Sequence, residues 1–247
     1  MTSSPDVAVI AGSGVAEHFE LSREGTLSTK YGMATVSLSK NGSFYLLQRH
    51  GPGHTVPPHR INYRANIAGL KSVGVRNIIA TSAVGSMNRR FKVGEVGLAD
   101  QFVDFTKGRT GTFYEETVEH TDMTNPYSRT LNRLVLRAGR SLGIKVHPGL
   151  VYVCVEGPRF ETAAEIRMFR LLGGDVTGMT GVPEVTLANE MGISYASVLV
   201  ATNWAAGMQE KVSHEEVLRV MKRSGEDVRK IVEATVNLLT SGADGGK

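Results

Sequence analysis

Cysteine is nearly absent from this chain of 247 residues, in which Cys154 is the only one. A single cysteine cannot form a disulfide within the chain, so a disulfide-bonded scaffold is excluded and a reducing compartment is favoured. Cys154 lies inside the apolar run 151–155, where a buried strand thiol is more common than a nucleophile. We therefore predict a structural thiol.

Long apolar runs are also missing. No run approaches the roughly 20 residues that a helix needs to cross a bilayer. Residues 1–6 lack the basic and apolar parts of a secretion signal. We therefore expect a cytoplasmic protein that has no membrane partner.

Charges of one sign are not concentrated in any segment. The formal net charge is +4, yet Lys and Arg are scattered and no five like charges follow one another. This pattern argues against nucleic acid as a partner and suits a small anionic substrate. Four histidines show no metal-site spacing and are expected to face solvent: His18, His54, His59 and His147. We predict no metal site.

Short apolar runs alternate with segments of helical periodicity. The runs predict strands at 7–11, 44–48, 77–81, 96–105, 151–155, 176–178 and 195–202. The periodic segments predict helices at 62–73, 128–142, 162–172 and 183–191, and a last helix that begins after Ser213 and extends to Leu239. This alternation predicts a single α/β domain over residues 1–247, with a disordered tail at 241–247.

Two helix starts have the spacing of a capping box. Thr162 precedes Glu165 by three residues, and Ser213 precedes Glu216 by three. In a capping box each side chain accepts a hydrogen bond from the other residue's backbone N–H. We predict both boxes.

Small and polar residues follow several of the predicted strands. In α/β sheets ligands bind at the carboxyl ends of strands. The segments in that position are 12–14, 49–50, 81–83 and 203–205. Arg49 and His50 can donate to one oxyanion, and the loop at Thr180 can present a hydroxyl and helix amides to it. Taken singly, the glycines also fit a tight turn and Arg49 also fits a surface salt bridge.

Two enzyme classes with glycine-rich turns fit poorly. A dinucleotide-binding turn needs a third glycine where this chain has Glu17. A serine hydrolase of the α/β type needs a Gly-x-Ser-x-Gly elbow, which is absent.

Several motifs occur together in one order along the chain. They are Gly-Ser-Gly at 12–14, Arg-His-Gly at 49–51, Asn-Tyr-Arg-Ala-Asn at 62–66, Ser-Ala-Val-Gly-Ser at 82–86, Glu-Gly-Pro-Arg-Phe-Glu-Thr at 156–162 and Gly-Met-Thr-Gly-Val-Pro-Glu at 178–184. With this set, the chain resembles the trimeric purine nucleoside phosphorylase and methylthioadenosine phosphorylase family from about Val7 to about Leu239.

The resemblance implies a twisted mixed sheet, partly closed into a barrel and surrounded by helices. It implies a homotrimer that uses inorganic phosphate as co-substrate and no cofactor. The phosphate-binding residues it implies are Ser13, Arg49, His50, Ser82, Ala83 and Thr180. The substrate-binding residues it implies are Phe160, Glu161, Met179, Asn203, Ala205, His214 and, from a neighbouring subunit, His120. Catalysis would fall to Asn203, Glu161 and His50.

Glu161 and Asn203 occupy the positions that discriminate the base in this family. An ionised carboxylate only accepts hydrogen bonds, so Glu161 fits a purine with N1–H, as in hypoxanthine and guanine. Adenosine-type members usually have serine in place of Glu161 and aspartates in place of Asn203 and Ala205. We therefore expect a 6-oxopurine nucleoside, although a solvated helix start at Glu161 and a turn at Asn203 are the plain alternatives.

The group on the ribose 5′ carbon stays open between two alternatives. His214 aligns with a histidine that donates to a 5′-hydroxyl in many 6-oxopurine enzymes, which favours inosine and guanosine. The segments 49–51, 57–63 and 203–207 instead look like bacterial S-methyl-5′-thioinosine phosphorylases. A surface role for His120 and a non-catalytic nucleoside-binding protein also remain open.

Overall fold

The structure is a computed structural model that describes residues 4–242. Its strands are β1 (Val7–Ala11), β2 (Leu21–Thr29), β3 (Gly32–Ser39), β4 (Tyr45–Gln48), β5 (Asn77–Ser86), β6 (Val96–Phe105), β7 (Val146–Val155), β8 (Val176–Gly178) and β9 (Ser194–Trp204). Its helices are α1 (Tyr63–Ser72), α2 (Arg129–Ser141), α3 (Ala163–Leu171), α4 (Gly181–Glu190) and α5 (His214–Thr240). Of the tail predicted to be disordered, residues 243–247 lie outside the described residues.

The nine strands form one mixed sheet in the order β2-β3-β4-β1-β5-β8-β7-β6-β9. The last strand, β9, also pairs in parallel with β5, so that β5, β8, β7, β6 and β9 close into a barrel. The remaining strands extend from β5 as an open sheet. The predicted α/β fold with a partly closed barrel is therefore confirmed.

Strand β1 lies near the middle of the sheet and is buried along its whole length. Its alternate residues enter different cores, because successive side chains of a strand point to opposite faces. Ala8 and Ile10 pack with the side of the sheet that α1 and α4 cover, whereas Val7 and Val9 pack with the side that α2 and α5 cover. This burial on both faces explains why β1 is an unbroken apolar run.

The hairpin β2–β3 is absent from the sequence prediction. Most side chains of β2 are exposed, and its apolar residues show no regular alternation. The hairpin forms because β3 pairs with β4 and β2 then pairs with β3 at the edge of the sheet. Edge strands need little apolar character, so periodicity alone does not reveal them.

Strands β5 and β9 run further than predicted. Residues 82–86 belong to β5 rather than to a turn, and Asn203 belongs to β9. The ladder continues because barrel closure pairs Ser82 with Leu199 and Gly85 with Asn203. Residues 82–86 are therefore part of the barrel wall.

The first predicted capping box is present, and the second is only half formed. Thr162 accepts from the Glu165 amide and Glu165 accepts in return. Ser213 accepts from the Glu216 amide, but the Glu216 carboxylate accepts from the Gln209 side chain instead.

The prediction that four histidines face solvent is wrong for two of them. His18 packs so closely on α5 that a Cβ at Gly225 would lie 2.2 Å from its Nε2. His147 is mostly buried, and its Nε2 lies 3.0 Å from a Glu95 carboxylate oxygen. His59 is exposed as expected. Across residues 4–242, no helix has both the length and the apolar character needed to cross a membrane.

Candidate active site

A cavity of about 370 Å³ lies beside the carboxyl ends of β1 and β4 and the second half of β5. These three strands are parallel neighbours, so their ends meet at one edge of the sheet. The predicted site residues that line the cavity are Ser13, Arg49, His50, Ser82, Ala83, Phe160, Glu161, Met179, Thr180, Asn203 and His214.

Two predicted residues do not line this cavity. Ala205 is buried against α3 in a small apolar cluster, and its amide donates to the Ser86 carbonyl at 2.9 Å. His120 is exposed in the loop between β6 and α2. The binding roles of Ala205 and His120 stay predictions.

Arg49 forms an ion pair with Glu184 that is completely buried. Its Nε and Nη2 donate to the two carboxylate oxygens of Glu184, each at 2.7 Å, and its Nη1 donates to the Thr81 carbonyl at 2.8 Å. Burial alone would lower the pKa of Arg49, but the Glu184 carboxylate raises it above the ordinary value. A guanidinium has five N–H groups, so these three bonds leave two of them unused.

The ends of three strands are tied together around this pair. The Gly12 amide donates to the Thr81 hydroxyl at 3.0 Å, and the Arg49 amide donates to the Ala11 carbonyl at 3.1 Å. A Cβ at Gly12 would lie 2.6 Å from the Thr81 carbonyl oxygen. Glycine is therefore required here by close packing, whereas the Gly12 amide is not available to an anion.

The lining of the cavity at this end includes the hydroxyl-bearing residues Ser13, Ser82 and Thr180. The Ser82 Oγ is buried and has no hydrogen-bond partner among the described residues. Thr180 precedes α4, and its side chain does not cap the helix. The amides of Thr180 and Gly181 donate to the Tyr152 hydroxyl, so they are less available to an anion than the sequence suggested.

His50 is held in one orientation by its own loop. Its Nδ1 lies 2.8 Å from the Val56 carbonyl oxygen, and the Val56 amide donates to the His50 carbonyl, also at 2.8 Å. Burial lowers the pKa of His50 to about 4, and the bond to Val56 offsets this only in part. The ring is therefore neutral at neutral pH.

His54 is exposed, as expected, and it also lines the cavity, between His50 and His214. Its ring centroid lies 4.2 Å from that of His50 and 5.8 Å from that of His214. Its backbone has a φ of 58°, which non-glycine residues rarely adopt. The cavity wall at His214 continues one helical turn later with apolar Val217.

Glu161 lines the cavity near Gly85 of β5, because Thr177, which bonds to it, pairs with Gly85. Its Oε1 accepts a hydrogen bond from the Thr177 hydroxyl at 2.6 Å. Burial raises the pKa of Glu161 above its ordinary value, and the bond from Thr177 offsets this rise only in part. Thr177 is a site residue that sequence reasoning missed, although it directly precedes the motif at 178–184.

Asn203 is oriented by both of its neighbours. Its Oδ1 accepts from the Thr202 hydroxyl and its Nδ2 donates to the Trp204 carbonyl, each at 2.9 Å. One N–H of the amide remains. A Cβ at Gly85 would lie 3.1 Å from this nitrogen, so the glycine leaves space for it.

Arg109, in the loop after β6, holds two walls of the cavity and was also missed. Its Nη1 donates to the carbonyls of Met179 and Val182 at 2.8 Å, and its Nη2 donates to the Glu156 carbonyl at 2.7 Å. These bonds fix the loop of Met179 relative to the loop that carries Phe160 and Glu161. No motif containing Arg109 stood out in the sequence.

Cys154 has the structural role that the sequence predicted. It is fully buried, and burial raises the pKa of its thiol to about 12. Its Sγ accepts from the Val182 amide at 3.3 Å.

Comparison with known proteins agrees with this fold. The family model of the phosphorylase superfamily matches residues 6–237, so the chain belongs to that superfamily. The chain is 47% identical to the 6-oxopurine nucleoside phosphorylase of Pyrococcus furiosus, covering 95% of this chain and 93% of that protein. It is 43% identical to a probable S-methyl-5′-thioinosine phosphorylase of Methanopyrus kandleri, with coverage of 95% and 93%.

A solved structure shows the same architecture. The methylthioadenosine phosphorylase from Schistosoma mansoni in complex with adenine superposes with a TM-score of 0.91 at 32% identity. The match covers 96% of this chain and 92% of that chain. The similar proteins thus carry names with different bases and different 5′ groups.

The buried pair generates a prediction about stability. Replacing Glu184 with Gln leaves the Arg49 charge buried without a counterion, so the free energy of unfolding should fall by about 3–5 kcal/mol. Urea denaturation in phosphate-free buffer measures this change.

The exposed pair between Lys40 and Glu20 has the same 2.7 Å separation and provides a matched control. Glu20→Gln should change the free energy of unfolding by less than about 1 kcal/mol. The double variant Arg49→Met, Glu184→Leu leaves no lone charge buried. Its loss in free energy of unfolding should therefore be smaller than the sum of the losses of the single variants Arg49→Met and Glu184→Leu. Equal losses for Glu184→Gln and Glu20→Gln would contradict this account.

Proposed function

We propose that this protein cleaves 6-oxopurine nucleosides with inorganic phosphate, releasing the free purine base and ribose 1-phosphate. The observation that carries the proposal is the polarity of the cavity. One end has the spare N–H groups of Arg49 and the unpartnered hydroxyl of Ser82, and the other end has the carboxylate of Glu161. Relatives named as 6-oxopurine nucleoside phosphorylases support the same reaction.

Phosphate binds at the first end in this proposal. The residues assigned to it are Ser13, Arg49, His50, Ser82, Ala83 and Thr180. Phosphate serves as co-substrate, and no cofactor or metal takes part. These residues come from the ends of β1 and β4, from β5 and from the start of α4, and all of them line the cavity. In the proposed site their hydroxyls and guanidinium donate to the phosphate. Such fixed donors stabilise charge without reorganising during the reaction.

The purine binds at the second end. Glu161 accepts from N1–H of a 6-oxopurine, and the remaining N–H of Asn203 donates to N7. Adenine has a bare acceptor at N1, which would face the acceptor Glu161. A buried acceptor pair of this kind costs about 1–3 kcal/mol. Phe160 flanks the base and Met179 lies against the ribose.

Catalysis is electrostatic at both ends of the breaking bond. As C1′–N9 breaks, the sugar gains positive character and the purine gains negative charge. Phosphate approaches C1′ from the face opposite the base and stabilises the sugar, while Asn203 supports charge at N7. This single displacement inverts the configuration at C1′.

A second candidate differs only in the 5′ group. S-Methyl-5′-thioinosine would give hypoxanthine and 5-methylthioribose 1-phosphate. The cavity wall combines polar His214 with apolar Val217, and a relative is named for the methylthio substrate. We favour the 5′-hydroxyl because His214 can donate to it.

We further propose a cytoplasmic homotrimer without nucleic-acid or membrane partners. In that assembly His120 completes the 5′ end of a neighbouring subunit's site. Its place in an exposed loop of the single chain is compatible with this role.

A substrate panel tests the proposal directly. Inosine, guanosine, adenosine and methylthioinosine are incubated with and without phosphate, and free base is separated by chromatography. We expect base release from 6-oxopurine nucleosides only when phosphate is present. Release without phosphate would indicate a hydrolase, and binding without any release would indicate a non-catalytic nucleoside-binding protein.

The role proposed for Glu161 predicts how its replacement changes selectivity for the base. In Glu161→Gln the amide oxygen can still accept from N1–H, but the charge is lost, so kcat/KM for inosine should fall by the equivalent of about 1.5–3 kcal/mol. Weak adenosine activity should change little. Equal losses on both nucleosides would point to a folding role for Glu161.

The role proposed for His214 predicts how its replacement changes selectivity for the 5′ group. His214→Met removes the donor and adds an apolar thioether, so inosine activity should fall and methylthioinosine activity should rise. The ratio of the two kcat/KM values is the measurement. A wild-type preference for methylthioinosine would remove the argument for His214 and leave the 6-oxopurine assignment intact.

A further inference from the structure

The two ring nitrogens of His50 have different hydrogen-bonding roles. Nδ1 lies 2.8 Å from the Val56 carbonyl oxygen. A carbonyl oxygen can only accept, so Nδ1 carries the hydrogen. In the neutral ring, Nε2 is then a bare acceptor. The backbone bond from the Val56 amide to the His50 carbonyl closes the same loop.

The surroundings of His50 keep its ring neutral. Burial lowers its pKa, and Arg49, His54 and His214 act in the same direction. The Arg49 charge is itself balanced by Glu184. Among the described residues that line the cavity, Arg49 is the only permanent cation. An oxyanion is therefore held mainly by hydrogen bonds, and the position of each hydrogen matters.

We propose that His50 accepts a hydrogen bond from the bound oxyanion and thereby selects an oxyanion that carries a proton. This inference rests on the proposed phosphate site and reverses the donor role that the sequence suggested for His50. Monohydrogen phosphate has one hydroxyl that can donate to Nε2. Sulfate and fluorophosphate have the same charge and a similar size, but no hydroxyl, so a lone pair faces Nε2 instead.

The hydrogen bond to Nε2 of His50 also orients the phosphate. With its hydroxyl directed at His50, the other three oxygens carry no hydrogen. These oxygens accept from the hydroxyls and guanidinium of the site, and one of them faces the sugar as nucleophile. His50 is in this way a specificity-determining residue as well as a phosphate ligand.

Titration calorimetry of the wild-type protein tests the inference with four anions in mildly alkaline buffer. Phosphate and arsenate both carry one hydrogen under these conditions, and they should bind with similar affinity. Sulfate and fluorophosphate should bind at least about 30-fold more weakly than phosphate, because they leave the Nε2 acceptor of His50 without a donor. The titrations need no turnover, so they are independent of the nucleoside.

Two variants sharpen the test. The amide of His50→Gln can either donate or accept, so the ratio of phosphate to sulfate affinity should fall towards one. His59→Gln makes the same change at an exposed histidine and should keep the wild-type ratio. Should His50→Gln fail to fold, as judged by circular dichroism, the wild-type ratio alone decides.

Equal affinity of the wild-type protein for all four anions would overturn the inference. A ratio of phosphate to sulfate affinity that stays at the wild-type value in His50→Gln would also overturn it. Tight sulfate binding with uptake of one proton, detected in buffers of different ionisation enthalpy, would show that His50 becomes a donor and would also overturn it. If no anion binds at all, the phosphate site itself fails, and with it the proposed function.

Discussion

The buried ion pair between Arg49 and Glu184 is the constraint on which the site depends. It joins the end of β4 to helix α4, and the Thr81 carbonyl and the Tyr195 hydroxyl join β5 and β9 to the same pair. Removing either charge alone would leave the other buried without a partner, which is costly in a protein interior. The pair therefore fixes four elements around one edge of the cavity.

The same pair determines how a ligand can be bound. Because Glu184 balances the guanidinium charge, the cavity offers hydrogen bonds more than net positive charge. In the proposed site, the hydroxyl of Ser82, the unused N–H groups of Arg49 and the lone pair of His50 then determine which oxyanion binds. At the other end, Arg109 holds the loops that carry Met179 and Glu161, so both reacting partners meet preformed walls.

Most of the fold was predictable because its signal is local. The apolar run of β1 reflects burial on both faces of the strand, and the apolar stripe of α5 reflects burial on one face of the helix. The hairpin β2–β3 and the continuation of β5 to Ser86 were not predictable, since they depend on pairing with distant strands. The motifs indicated which residues line the cavity, but the partners Glu184, Thr177 and Arg109 depend on tertiary contacts that no local pattern encodes.

A crystal structure with phosphate and hypoxanthine bound tests the central claim most directly. The account predicts phosphate against Ser82, Thr180 and His50 Nε2, with Arg49 still paired to Glu184. It predicts hypoxanthine with N1 at Glu161 and N7 at Asn203. Phosphate bound elsewhere, or an Arg49 that leaves Glu184 to reach it, would contradict the account.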